Sequence, residues 1–250
     1  MRLTFGNDWH ATVTADPLPI VPRFSGNSVD IAYYTDVKQR EQFLLATFGS
    51  QEQLWETPDV LRFDPDSRKL AGAEFQMPAE SAYVEDPARV IPLPAVRPGG
   101  LRADEVRDFR LETCEVLHRT PGDTVLTSLR DRDVLNEPLE ARINIAPDVT
   151  LLVQHGTVVG WSLTDPARYL TQVFAAPDPN PPLPATRRLL TECLDLITEP
   201  LIDDVMDGKP AALARLRATD QALRTQQEDR SRADALLALI ANLVEDHRNW

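Results

Sequence analysis

The sequence predicts an α+β protein: an antiparallel β-hairpin and sheet region whose two longest hairpins share a layout, followed by a C-terminal helical region. Three observations predict it. Short stretches rich in Val, Ile, Phe, Thr and Tyr, bounded by Pro, Gly and Asp, fill the first two thirds of the chain. Prolines at 177, 179, 181, 182 and 184 then exclude a helix or a central strand. Beyond them, apolar residues recur at helical spacing. The organisation that follows is a mixed sheet region over residues 1–175, a proline-rich connector over 176–185 and a helical region over 186–250.

Residues 2–14 and 20–34 read as opening strands around a bend at Asp16-Pro17 and Pro19. A helix follows, with Thr35 or Asp36 as N-cap, Val37, Phe43, Leu44 and Phe48 as its apolar stripe, and Gly49 as a left-handed stop. Pro58-Asp59-Val60 then opens an alternating run, which turns at Asp64-Pro65-Asp66-Ser67 and returns through Leu70, Gly72, Ala73, Phe75 and Met77 to Pro78. The same layout recurs from Pro147-Asp148-Val149, through a turn at Gln154-His155-Gly156-Thr157, to Val158, Gly160, Trp161, Leu163 and Pro166. In both copies Gly lies six residues before Pro, and Gly72 and Gly160 mark a bulge or a close backbone approach.

Between the copies, Pro87 to Gly100 reads as an extended connector. Thr120-Pro121-Gly122-Asp123 is a turn between strands at 114–119 and 124–129, whereas residues 103–112 suit a helix start and a strand equally. Asp165-Pro166 opens a short helix with Tyr169, Leu170, Val173 and Phe174 on one face. After the prolines, Leu189, Leu190, Cys193, Leu194 and Ile197 form a helical stripe that Pro200 interrupts. Leu201, Ile202, Val205 and Met206 resume it, Pro210 starts a helix through Leu213, Leu216 and Leu223, and Ser231 caps a last helix through Leu236 and Ile240.

The charge balance narrows the function classes. A net charge of −13 argues against unaided nucleic-acid binding, since phosphate affinity comes from cationic side chains, and it favours a basic partner protein. No stretch has the roughly 18 uninterrupted apolar residues of a membrane span, and Met1 to Asp8 carries no basic and apolar leader pattern, so a cytoplasmic location is expected. Lysine occurs only at 38, 69 and 209 beside many arginines, a composition that suggests GC-rich bacterial coding. Cys114 and Cys193 belong to no metal-binding spacing and are expected to be small buried hydrophobes.

No phosphate loop, dinucleotide glycine fingerprint, nucleophile elbow or zinc motif is present. One chemically suggestive cluster is Asp203-Asp204-Val205-Met206-Asp207. It is similar to the Asp-Asp-x-x-Asp pattern of terpene-synthase-like and prenyltransferase enzymes, which implies Mg²⁺ held between Asp203, Asp204 and Asp207 and a diphosphate. The match covers five residues with no second motif, and the alternative is a solvated acidic helix end. His10, His118, His155 and His247 are scattered over different predicted elements, and Cys114 with His118 on one strand would be about 13 Å apart. Trp161 reads as core, and Trp55 beside Glu52 and Glu56 as an anchor for a partner. The leading expectation is a non-catalytic bacterial protein-interaction protein of immunity or accessory type, without a cofactor. The alternatives are the Mg²⁺-dependent enzyme and a homo-oligomeric structural component.

Overall fold

The computed structural model describes residues 1–6, 8–50, 58–81 and 93–246. In chain order these form β1 (Arg2–Phe5), β2 (Trp9–Thr14), β3 (Arg23–Phe24), β4 (Ser28–Ile31), α1 (Val37–Ala46), β5 (Phe48–Gly49), β6 (Val60–Phe63) and β7 (Leu70–Gln76). Next come β8 (Val96–Pro98), β9 (Gly100–Ala103), β10 (Val116–Arg119), β11 (Val125–Leu129), β12 (Ala141–Ala146), β13 (Val149–Gln154) and β14 (Thr157–Thr164). The helices α2 (Pro166–Tyr169), α3 (Pro184–Ile197), α4 (Leu201–Met206), α5 (Pro210–Thr225) and α6 (Arg230–Asp246) complete the order. The class is α+β, with the strands before residue 165 and the longer helices after 183.

One sheet runs β8-β12-β13-β14-β1-β2-β9. Because only Gly99 separates β8 from β9, one stretch of chain pairs with β12 at its start and with β2 at its end, so the path closes into a ring. Closure brings backbones together: a Cβ on Gly100 would lie 2.1 Å from the Asp16 carbonyl oxygen, which only glycine avoids. The hairpin pairs are antiparallel, as their turns dictate, whereas β1 with β14 and β8 with β12 are parallel. Both parallel pairs join segments distant in sequence, where no turn chemistry specifies direction. The stretch read as a connector up to Gly100 therefore ends in strands.

The second sheet, β3-β4-β7-β6-β5, is wholly antiparallel. Its β6–β7 hairpin and the β13–β14 hairpin of the first sheet share a detail. Arg62 faces Gly72 and Phe63 faces Leu70, leaving Ala71 unpaired; Leu152 faces Gly160 and Val153 faces Val158, leaving Val159 unpaired. Each hairpin thus carries a one-residue bulge immediately before its glycine. The edge of β14 opposite β13 is shared, with residues 160–164 pairing with β11 and Thr157 pairing with β1.

Several local readings change. Helix α1 is capped by Asp36, whose side chain accepts from the Gln39 N–H, but it buries no residue and ends at Ala46. Gly49 lies in β5 with φ 153°, where a Cβ would meet the Leu61 carbonyl oxygen at 2.0 Å, so it permits strand approach and does not stop the helix. Residues 104–115 form neither helix nor strand. Helix α2 spans four residues and leaves Val173 61% exposed. Helix α6 begins at Arg230, so Ser231 is inside it and caps nothing.

Sheets and helices contribute to a single contiguous apolar cluster that includes Trp9, Phe24 and Trp161 along with Leu190, Cys193, Leu216, Leu236 and Ile240. Trp9 stacks on Phe109 with ring centroids 3.9 Å apart. Gly26, between β3 and β4, is crossed so closely by Leu239 of α6 that a Cβ there would lie 2.5 Å from it. Among the described residues, no helix is long and apolar enough to cross a membrane.

Candidate functional site around Asp59

Alternation along β6 decides where Asp59 points. Leu61 and Phe63 are fully buried, and at a period of two the side chain of residue 59 shares their face. The carboxyl is accordingly placed inside, 8% exposed, between the two sheets. Its Oδ1 accepts the Gln76 backbone N–H at 2.8 Å, and Oδ2 accepts the Cys114 S–H at 3.6 Å. The Trp161 indole N–H also acts on this carboxyl, lowering its pKa, yet it has no hydrogen-bond partner in good geometry. Ser128, directly opposite Trp161 across β11 and β14, adds a buried hydroxyl beside the Cys114 thiol.

Above these groups lies a small cleft of about 40 Å³ with apolar walls of Phe5, Leu61, Phe75 and Leu151. It has room for about three waters. Glu112 and Arg130 also line it and pair with each other at 3.3 Å, their side chains 54% and 35% exposed, which places them at the outer end.

Burial dominates the electrostatics. It pushes the Asp59 carboxyl up to about 7, against the Gln76 N–H, the Cys114 thiol and the Trp161 indole, while the Glu74 charge adds to the rise. Burial, followed by the Asp59 charge, drives the Cys114 thiol well above its ordinary value. A thiol held protonated beside a carboxylate is a hydrogen-bond donor and a poor nucleophile. Asp59 in contrast gains or loses its proton near neutrality, so the site can both give and accept a hydrogen bond.

The residues singled out by sequence lie elsewhere. Asp203 and Asp204 occupy the first turn of α4, where the helix dipole favours acids, and not a helix end that opposes them; Asp207 is the C-cap. The Lys209 ammonium lies 2.5 Å from an Asp204 oxygen and 3.8 Å from an Asp207 oxygen, taking the place between the two carboxylates. Among the described residues, no group of three or more His, Cys, Asp or Glu is arranged to hold a metal ion. Glu52, Trp55 and Glu56 lie outside the described residues, as do His247 and Trp250. His155 is exposed and meets Glu137 at 2.6 Å, and burial lowers the pKa of His118. Trp161 is fully buried, as expected, and Cys193 is sealed in the core with its thiol pushed up to about 12 by burial.

Asp59 itself was not singled out among the 39 acids. The signal that marks it is an acid in phase with two buried apolar residues of a short strand. Compared with models of protein families, with curated proteins and with solved structures, the chain matches none of them.

Proposed function

We propose that this chain is a non-catalytic protein-interaction protein, of immunity or accessory type, that binds a basic partner protein through its acidic surface. The arrangement of charge carries this reading. Arginines along the chain are taken up internally: Arg2 by Asp104, Arg132 by Glu80, Arg187 by Asp165, Arg215 by Glu192 and Asp195, and Arg224 by Asp220. Each of these pairs is locally neutral, and the net charge of −13, the surplus of carboxylates over cations in the chain, sums to a negative field. Such a field steers and selects a cationic protein.

The test is a native pull-down at low salt with the full chain as bait, followed by a salt gradient. The expected result is a stoichiometric partner of basic isoelectric point, released as rising ionic strength screens the field. Recovery of no stoichiometric protein, or of a partner whose retention ignores salt, would overturn the reading.

A further inference from the structure

The cleft over Asp59 has a floor whose hydrogen-bonding groups are unmatched in a specific way. The Trp161 N–H is a donor, fully buried and without an acceptor in good geometry. Beside it, Asp59 Oδ2 receives the long contact from the Cys114 thiol, and the indole acts on the same carboxyl without a hydrogen bond in good geometry, so the carboxyl retains accepting capacity. A molecule suited to this floor presents one acceptor and one donor on two atoms that share a carbon. The room, about 40 Å³, holds about three waters, so the ligand must be small.

Charge selects further. Arg130 and Glu112 neutralise each other, so the Asp59 carboxylate would repel an anion, while a cation that lacks an acceptor would leave the Trp161 N–H unmatched. The walls of Phe5, Leu61, Phe75 and Leu151 suit a short apolar substituent. We infer that the Asp59–Trp161 cleft is a binding site for a small neutral primary amide, whose carbonyl accepts the Trp161 N–H and whose amino group donates to Asp59. This inference does not depend on the acidic partner surface, since it concerns a buried floor and a neutral ligand.

The experiment follows the indole resonance of Trp161, assigned with Trp161→Phe, in ¹⁵N-labelled full-length protein at pH 8 during titration with propionamide. A saturable shift is expected with a dissociation constant of about 1 to 10 mM, as suits a ligand with so few heavy atoms. N,N-Dimethylpropionamide lacks the donor, and ethylammonium lacks the acceptor, so each should leave the resonance in place. Asp59→Asn keeps the acceptor for the Gln76 N–H but replaces Oδ2 by a donor, and should weaken propionamide binding at least tenfold with the rest of the spectrum intact. An unmoved indole resonance, equal shifts with the dimethyl amide, tighter binding of ethylammonium, or undiminished binding by the Asn variant would each overturn the assignment. Water occupancy without amide binding would appear as the first of these results.

Discussion

Arg232 donates from Nη1 to Asp229 Oδ1 at 3.0 Å, and the two side chains are 1% and 4% exposed. The pair lies at the start of α6 and holds the proline segment in place. Arg232 Nη2 donates to the carbonyls of Asp178 and Asn180, while Asp229 Oδ2 accepts the Thr186 hydroxyl at 2.6 Å. Prolines between 177 and 184 cannot supply the N–H groups that would occupy those carbonyls, so a planar arginine fork does so.

Removing Arg232 therefore costs more than one ion pair. Arg232→Ala leaves Asp229 buried without its counter-charge and two carbonyls without donors, for an expected loss of about 3–5 kcal/mol in urea unfolding. Arg232→Lys should recover only part of it, because a single ammonium cannot span three acceptors. Arg2→Ala, which breaks an exposed pair with Asp104, should be close to neutral. Equal losses for the buried and exposed variants would contradict this account.

Asp59 makes stability depend on pH with a definite sign. Its folded pKa, about 7, exceeds the ordinary 3.8, so the folded state holds the proton more tightly than the unfolded chain. Its stabilising contribution is complete below about pH 4 and is lost as pH rises through 7, amounting to about 4 kcal/mol across that window. Asp59→Asn resembles the protonated form, and its urea midpoint at pH 8 should exceed that of the parent, with the gap closing toward pH 4. A constant difference between the two proteins from pH 4 to 8 would remove Asp59 as the titrating group.

The two bulged hairpins offer a comparison. A Cβ at Gly160 would lie 2.1 Å from the Ser128 carbonyl oxygen, part of a paired strand that cannot yield. At Gly72 the nearest atoms are the Ile31 carbonyl oxygen and Phe43 Cζ, both at 2.8 Å, so the ring can move and the β4 backbone has less to yield than the strand backbone at Gly160. Gly160→Ala is expected to cost about 3 kcal/mol or more, and Gly72→Ala about 1–2 kcal/mol. Thermal unfolding of both variants checks the order, and a Gly72→Ala protein less stable than Gly160→Ala would refute it.

Local signals carried the class, both long hairpins, and the helices after the prolines. Alternation between Val60 and Phe63, the proline at 184 and the stripe through Leu190 and Cys193 each act within a few residues of chain. The parallel pairing of β1 with β14, a backbone match of Thr4 with Thr157, was hidden because it joins strands from opposite ends of the sheet region with no turn between them. Gly49 misled for a similar reason: its positive φ serves a contact with Leu61, a residue the helix pattern does not involve. The Asp59 cleft was half legible. The phase of Asp59 with Leu61 and Phe63 is in the sequence, but Cys114 and Trp161 reach it only through the meeting of two sheets.

Arg62 explains how α1 persists without a buried residue. Its guanidinium donates to the carbonyls of Leu44, Thr47 and Ser50 and to the Thr47 hydroxyl, so it satisfies acceptors at the helix end and puts positive charge at the negative pole of the dipole. The remaining attachment is the Arg40–Glu74 ion pair at 3.1 Å, together with Phe43 and Leu44, half-buried against the sheet. Arg62→Met keeps the aliphatic stem and removes these donors. Amide exchange over Val37–Ala46 should then accelerate tenfold or more, a local opening about 1.4 kcal/mol easier, while exchange in β13 and β14 stays unchanged. Faster exchange spread evenly over both sheets would show that Arg62 supports the whole fold, and unchanged exchange in α1 would show that the helix is held by its apolar contacts and the Arg40–Glu74 pair.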